Sequence, residues 1–432
     1  MEMSRVVFMA GLSRPSHSIR NKQLTAIDFN WEQGVWQGSR ENPDNARTAH
    51  VCIAGDWAPI RAFAPIIEQR PEIIYGDLLA PLEAADLCIV NLEAPLSDIG
   101  LPVNKSGAVF KGEKKHARGL APFDAVTLAN NHVFDFGVAA FDETIKALED
   151  RGLKWTGAGK DLDQAASPLI LEKNGLKIAV VNFSEGEDLT AATIDKPGVM
   201  GWDLPRMEAL VASLRKQVDC IMVIAHCGIE YIPFPPPYVA KAFERMVDAG
   251  ADIVIGHHPH VPQGVQFYKN VPIFYSLGNF VFYQPTDLKF RKLGLMVNVG
   301  IDPSGIFSFK ILPYEIHDHG LELLKEGSKQ AFFRKFKEIS LPLDTPETLE
   351  QTWHAFLTDY GTKGFFNEIN MIMDKIKTDP KKGAAMFRNR LTTLQHHTHL
   401  KDLMTLMVED KMEQQSPQWA KSLIHQWLTQ TR

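Results

Sequence analysis

"ADIVIGHHPHVPQG", residues 251–264, runs from an apolar stretch straight into His257, His258 and His260, three imidazoles within four positions. An unbroken Ile-Val-Ile run reads as a strand buried on both faces, as in a parallel sheet covered by helices. Pro259, Pro262 and Gly264 then turn the chain. Open α/β sheets place their ligand sites beyond the carboxyl ends of strands, which is where these imidazoles fall.

The same texture recurs in both directions from this stretch. "HVCIAGD" (50–56), "DLCIVNLE" (86–93), "AVTLANNH" (125–132), "KIAVVNFSE" (177–185), "CIMVIAHCG" (220–228) and "IFYSLGNF" (273–280) are short apolar runs that end in polar clusters. Helical patterns lie between them over 59–85, 137–152, 203–217 and 236–250, with Gly152 placed as a C-cap. Alternating strands and helices predict a layered α/β domain. Residues 293–316 read as a hairpin around Asp302-Pro303-Ser304-Gly305.

After about residue 340 the strand runs stop. Amphipathic segments over 345–361, 365–380, 381–395, 399–412 and 416–430 predict about five short helices. At the other end, "RVVFMAGL" (5–12) reads as an edge strand and "EQGVWQGSRENPDNAR" (32–47) as loop. The expected organisation is an N-terminal extension over 1–47, a main domain over 48–338 and a helical C-terminal region over 339–432.

Composition narrows the classes. A net charge of −6, a pI near 6.2 and no long basic stripe argue against nucleic-acid binding. Cys52, Cys88, Cys220 and Cys227 each sit in or beside an apolar run without a CxxC, so free buried thiols are expected. The apolar stretch Val6–Leu12 is too short for an export signal, and no segment approaches the roughly 20 apolar residues of a membrane span. A cytoplasmic chain with no integral membrane segment is the expectation.

The strand ends carry the chemistry. Asp56, Asn91 with Glu93, Asn130-Asn131-His132, His226, and His257-His258-Pro259-His260 close five of these strand runs. Carboxylates and an amide offer hard oxygen ligands, and imidazole suits Mn, Fe, Co or Zn better than Mg or Ca. Such a mixed set can hold two divalent ions roughly 3.5–4 Å apart, as in two-metal phosphoester hydrolases, with a neighbouring histidine handling the leaving-group proton. Singly, each residue has a plainer use: Asp56 as a helix N-cap, Asn130 and Asn131 as turn formers, any one histidine as a hydrogen-bonded turn residue. Five together are hard to explain as capping. Glu230 and Tyr231 divide evenly between surface loop and substrate contact. His396, His397 and His399 in "QHHTH" lie in the helical region and read as a solvated helix junction.

In order, Gly55-Asp56, Asn91-Leu92-Glu93, Asn130-Asn131-His132 with Asp135 and Gly137, His226-Cys227-Gly228 with Glu230-Tyr231, Gly256-His257-His258-Pro259-His260 and Ser276-Leu277-Gly278-Asn279-Phe280 resemble the CapA-like family of poly-γ-glutamate capsule-synthesis proteins, related to calcineurin-like metallophosphatases. The resemblance covers roughly residues 48–315. It implies a four-layer α/β/β/α sandwich with the helical C-terminal region appended. It also implies metal ligation by Asp56, Glu93, Asn131, His226, His258 and His260, with two Mn, Fe or Zn ions. His132 and Asp56 would be the catalytic pair. Asn91, Asn130, Glu230, Tyr231, His257 and Asn279 would contact substrate, His257 from beside the ligands.

One departure stands out: metallophosphatases usually open with Asp-x-His, and this chain has Asp56-Trp57-Ala58. The resemblance leads to a metal-dependent hydrolase, foremost a phosphoesterase in a capsule or envelope pathway, on a phosphorylated or polyglutamate-type substrate. The alternatives are a γ-glutamyl amide hydrolase or transferase, and a degenerate non-catalytic binding domain. A homo-oligomer or partner protein would dock through the C-terminal helices.

Overall fold

The computed structural model describes residues 29–38, 47–414 and 416–429. Its frame is two facing sheets. The nine-stranded sheet runs in the order Phe29–Asn30, Val35–Gln37, Gly305–His317, Leu293–Asp302, Ala49–Trp57, Leu87–Leu92, Ala125–Thr127 and Lys154–Thr156, with Gly320–Leu323 also paired to Gly305–His317. The six-stranded sheet runs Val265–Tyr268, Val271–Phe274, Ile253–His257, Cys220–His226, Leu176–Ser184 and Leu169–Lys173. Strands Ala49–Trp57, Leu87–Leu92 and Ala125–Thr127 are parallel, as are Leu176–Ser184, Cys220–His226 and Ile253–His257.

Strand periodicity explains the layering. Val51, Ile53, Leu87 and Ile89 meet Met222, Ile224, Ile253 and Ile255 in the core between the sheets. The alternate residues Cys52, Ala54, Cys88 and Val90 pack outward with Phe63 and Phe141 of helices Phe63–Gln69 and Gly137–Glu149. Ile221, Val223 and Val254 pack outward with Met207, Val211, Phe243 and Met246 of helices Leu204–Leu214 and Pro237–Ala249. Continuous apolar runs are required because both faces of each strand are buried. The result is the expected four-layer α/β/β/α sandwich.

The helical region follows as Glu326–Ser340, Pro346–Phe356, Thr362–Thr378, Pro380–Thr392, Leu394–Val408 and Gln418–Thr429. The last five match the amphipathic segments. Glu326–Ser340 is additional to them; it sets Phe332, Phe333, Phe336 and Ile339 into the inter-sheet core. The hairpin forms at Asp302–Gly305, where Gly305 has φ +106.

One expectation is corrected. The polar, turn-rich composition of residues 32–47 predicts loop, but Val35–Gln37 is a strand paired with Ser308–Lys310. Trp36 stacks on Phe309 at 5.6 Å, and that burial outweighs the turn-rich flanks. The Arg5–Leu12 stretch lies outside the described residues. All four cysteines are buried free thiols. Among the described residues no helix is long and apolar enough to cross a membrane.

Candidate metal centre

The carboxyl ends of both sheets meet at one point. In the nine-stranded sheet the register shifts between Ala54 and Asp56, so Asp56 lies opposite Asn91. A bulge of this kind re-aims a side chain. Gly55 permits it, because a Cβ there would lie 2.1 Å from the Gly278 carbonyl oxygen. In the six-stranded sheet His226 pairs with His257 in register. Beyond that strand His258 and His260 adopt φ +98 and +57 on either side of Pro259. Non-glycine residues reach this region only where the surroundings hold them there.

Two groups of side chains that could hold a metal ion share Glu93: Glu93, His226 and His258 form one, and Asp56, Glu93 and His260 form the other. In the first, His226 Nε2 lies 3.4 Å from Glu93 Oε1, 3.0 Å from Asn131 Oδ1 and 3.1 Å from His258 Nδ1. An ion with bonds of about 2.0–2.2 Å separates its ligand atoms by roughly 3.0–3.5 Å. In the second, His260 Nε2 lies 3.7 Å from Glu93 Oε1, while its Nδ1 lies 3.6 Å from Asp56 Oδ2 on the other edge of the ring. Glu230, which is exposed, joins His258 and His260 in a third, overlapping group.

The electrostatics call for a cation. Glu93 is fully buried, and neither carboxylate oxygen has a hydrogen-bond partner. Burial, then Asp56, push its carboxyl well above the usual range. Burial also works against ionised Asp56, yet the nearby imidazoles of His257, His226 and His260 hold its carboxyl below the usual range. An unpartnered buried carboxylate beside an ionised one is costly unless a cation sits between them. Burial, with His258 next, keeps His226 well below its ordinary pKa, and burial lowers His260 in the same direction. Neutral imidazole is the form that binds metal.

The amides position the ligands. Asn91 Nδ2 lies 2.8 Å from Asp56 Oδ1 and 3.2 Å from His226 Nδ1. Asn131 Nδ2 donates to Glu187 Oε2 at 2.9 Å, which turns its oxygen toward His226. His260 Nδ1 faces Asn279 Oδ1 at 2.8 Å. His132 forms a second cluster: its Nδ1 lies 2.6 Å from Asp135 Oδ2, and Lys105 Nζ lies 2.8 Å from Asp135 Oδ1. Burial and then Lys105 lower the His132 pKa.

Some of the expected substrate contacts are deeply buried. Asn91, Asn130, His257 and Asn279 are at most 1% exposed. Asn130 is used up as a turn residue, donating to Asn91 Oδ1 and the Leu92 carbonyl and accepting from the backbone N–H of His132 and Val133. His257 Nδ1 stands 3.3 Å from Asp56 Oδ1, and neither ring nitrogen makes a well-formed hydrogen bond. Tyr231 and Glu230 remain at a cavity wall. The histidine absent after Asp56 has a physical counterpart: Ala58 sits in an apolar cluster with Ile60, Ala94 and Phe282.

The helical region reaches the centre, which corrects the reading of "QHHTH" as a solvated junction. Gln395 Oε1 lies 3.3 Å from His258 Nε2, an arrangement that leaves Nδ1 free to bind. The backbone N–H of Gln395 donates to Glu185 at 3.1 Å, Asn389 donates to Glu187 at 2.9 Å, and His396 lies 3.9 Å from Glu187. Sequence reasoning misses Lys105, Glu185, Glu187, Asn389 and Gln395. Only the position of Glu185, ending the "KIAVVNFSE" run, carries a signal that could have found one of them.

Residues 50–284, more than half of the chain, match the family model described as bacterial capsule synthesis protein PGA_cap. The chain belongs to that family. Within it, the chain is 29% identical over 304 residues to the PGA biosynthesis protein CapA of Bacillus subtilis (strain 168), covering 66% of this chain and 77% of that one. It is 37% identical over 179 residues to the capsule biosynthesis protein CapA of Bacillus anthracis, covering 40% of this chain and 44% of that one. Among solved structures, a 5'-nucleotidase precursor from Thermus thermophilus aligns with TM-score 0.39 and 16% identity, over 68% of this chain and 59% of that one. The PGA_cap match ends before helix Glu326–Ser340, so Gln395 and Asn389 lie outside it.

Proposed function

We propose that the chain is a metal-dependent hydrolase of a capsule-polymer pathway, cutting a phosphoester at the Glu93 centre. The observation that carries this reading is Glu93 itself, a buried carboxylate without hydrogen-bond partners that is common to two ligand groups. Asp56, Glu93 and His260 would hold one divalent ion, and Glu93, Asn131, His226 and His258 the other. When bound, such ions neutralise charge on a phosphoryl oxygen and activate water.

The chain's own residues supply the rest. Asp135 takes the Nδ1 side of His132, whose Nε2 makes no protein hydrogen bond among the described residues and is the atom for proton transfer. Lys105 pairs with Asp135 and holds it in place. Residues 48–338 then form the catalytic unit, and 339–432 wall its opening.

A γ-glutamyl amide hydrolase is the second reading. It is favoured by the name of a relative from Mycobacterium tuberculosis (strain ATCC 25618 / H37Rv), a probable polyglutamine synthesis accessory protein, 28% identical over 223 residues. A panel of phosphomonoesters, phosphodiesters and γ-glutamyl peptides, tested with Asp56→Ala and His258→Ala as blanks, separates the two. Metal-dependent turnover of a phosphoester that both variants lose is the expected result. Turnover of the peptides alone rejects phosphoester chemistry. No turnover together with no bound metal rejects a hydrolase.

A further inference from the structure

A cavity of about 490 Å³ opens beside the Glu93 centre, between the sandwich and the C-terminal helices. Glu230 and Tyr231 line one wall, and Tyr231 lies 6.0 Å, ring to ring, from His260. Four residues that line it carry a buried polar atom without a hydrogen-bond partner: Arg291 Nε, Arg390 Nε, His399 Nε2 and Trp427 Nε1. Three of them, on arginine and tryptophan, can only donate. Buried donors left without partners are costly.

The charges single out Arg291. Glu187 is engaged by Asn131, Asn389 and His396, and Glu368 by Arg390. Glu230 belongs to a ligand group with His258 and His260. Arg291 makes no ion pair among the described residues, and its guanidinium lies over the Tyr231 ring, 3.4 Å from the centroid. Stacking fixes the plane of the fork, which suits it to a carboxylate or a phosphate. Phe356, Phe365 and Trp427 also line the cavity and supply apolar surface for the body of the ligand.

We infer that this cavity is an oxyanion subsite in which Arg291, held by Tyr231, binds a carboxylate or phosphate group that lies along the substrate from the reacting bond. Arg291 is thereby a specificity-determining residue contributed from outside the PGA_cap match. The assignment rests on the hydrolase reading only for where the scissile bond lies; binding at the subsite stands apart from it.

The test titrates full-length protein, metal-loaded except for the Glu93→Gln variant, with γ-glutamylglutamate and, separately, with p-nitrophenyl phosphate, following tryptophan fluorescence and heat. Wild type, Arg291→Ala, Arg291→Lys and Glu93→Gln are compared, with melting curves as the check on folding. The expected result is binding of at least one probe that Arg291→Ala weakens roughly 10- to 100-fold, that Arg291→Lys partly restores, and that Glu93→Gln largely keeps. Which probe binds says whether the oxyanion is a carboxylate or a phosphate. Binding unchanged in both Arg291 variants but lost in Glu93→Gln would place the anion on the metal centre alone and overturn the subsite, as would no binding of either probe to wild type. Binding without turnover would leave the subsite standing and count against the hydrolase.

Discussion

The nine-stranded sheet brings oxygen to the centre, through Asp56, Glu93 and Asn131, while the six-stranded sheet brings nitrogen, through His226, His258 and His260. The two sides are held differently. The oxygen side is set by a bulge at Gly55 and a web of amides from Asn91 and Asn130. The nitrogen side is set by left-handed backbone at His258 and His260 and by Gln395 reaching in from a helix. Neither of the two groups that share Glu93 is completed by one sheet alone. Glu93, left without hydrogen bonds, is where the two halves meet.

Removing the meeting point should do the most damage. Glu93→Gln is expected to lower turnover on the order of 10³-fold or more and to empty both ligand groups, as read by steady-state kinetics and elemental analysis. Turnover within a few-fold of wild type would break the comparison. Next come changes to one half each. Asp56→Ala and His226→Ala should each cost one ion equivalent while the other group keeps its own, and loss of both ions in either variant would show that the two groups do not bind separately.

The support of the oxygen side gives a stability effect. Lys105 and Asp135 form an ion pair in which both side chains are at most 3% exposed. Lys105→Met removes the cation beside the buried Asp135 carboxylate, which keeps His132 and the Phe110 N–H as partners, and about 3–5 kcal/mol should be lost in denaturant melts. A loss below about 1 kcal/mol would mean that those two partners suffice for Asp135. The support of the nitrogen side is expected to matter less. Gln395→Ala should weaken metal affinity about 10- to 100-fold by freeing the His258 ring, measured by competition with a chelator. Unchanged affinity would make that contact incidental.

The ligand-bearing half is the legible half. Each ligand closes a continuous apolar run, and that pattern has one economical explanation, a buried parallel strand ending at a site. The supporting residues carry no comparable mark. Lys105, Glu187, Asn389 and Gln395 are types common on surfaces, and they come from loops and helix ends whose placement depends on tertiary packing. Helical periodicity foretells the amphipathic faces over 345–430 but not that the end near Gln395 caps His258. Val35–Gln37 is too short for periodicity to register, and only the burial of Trp36 against Phe309 makes it a strand. The reverse holds at Asp56-Trp57-Ala58, where the departure is visible in the sequence and the structure supplies the reason. Trp57 is buried with its indole donating to Tyr75 at 3.2 Å, and Ala58 fills an apolar cluster.

The central claim is that Glu93 is shared between two bound ions. Crystals of the metal-loaded protein, measured across the absorption edge of the metal found by elemental analysis, test it directly. The expected result is two anomalous peaks flanking the Glu93 carboxylate, one toward His226 and His258 and the other toward Asp56 and His260. Protein that turns over substrate with no peak at Glu93 would contradict it.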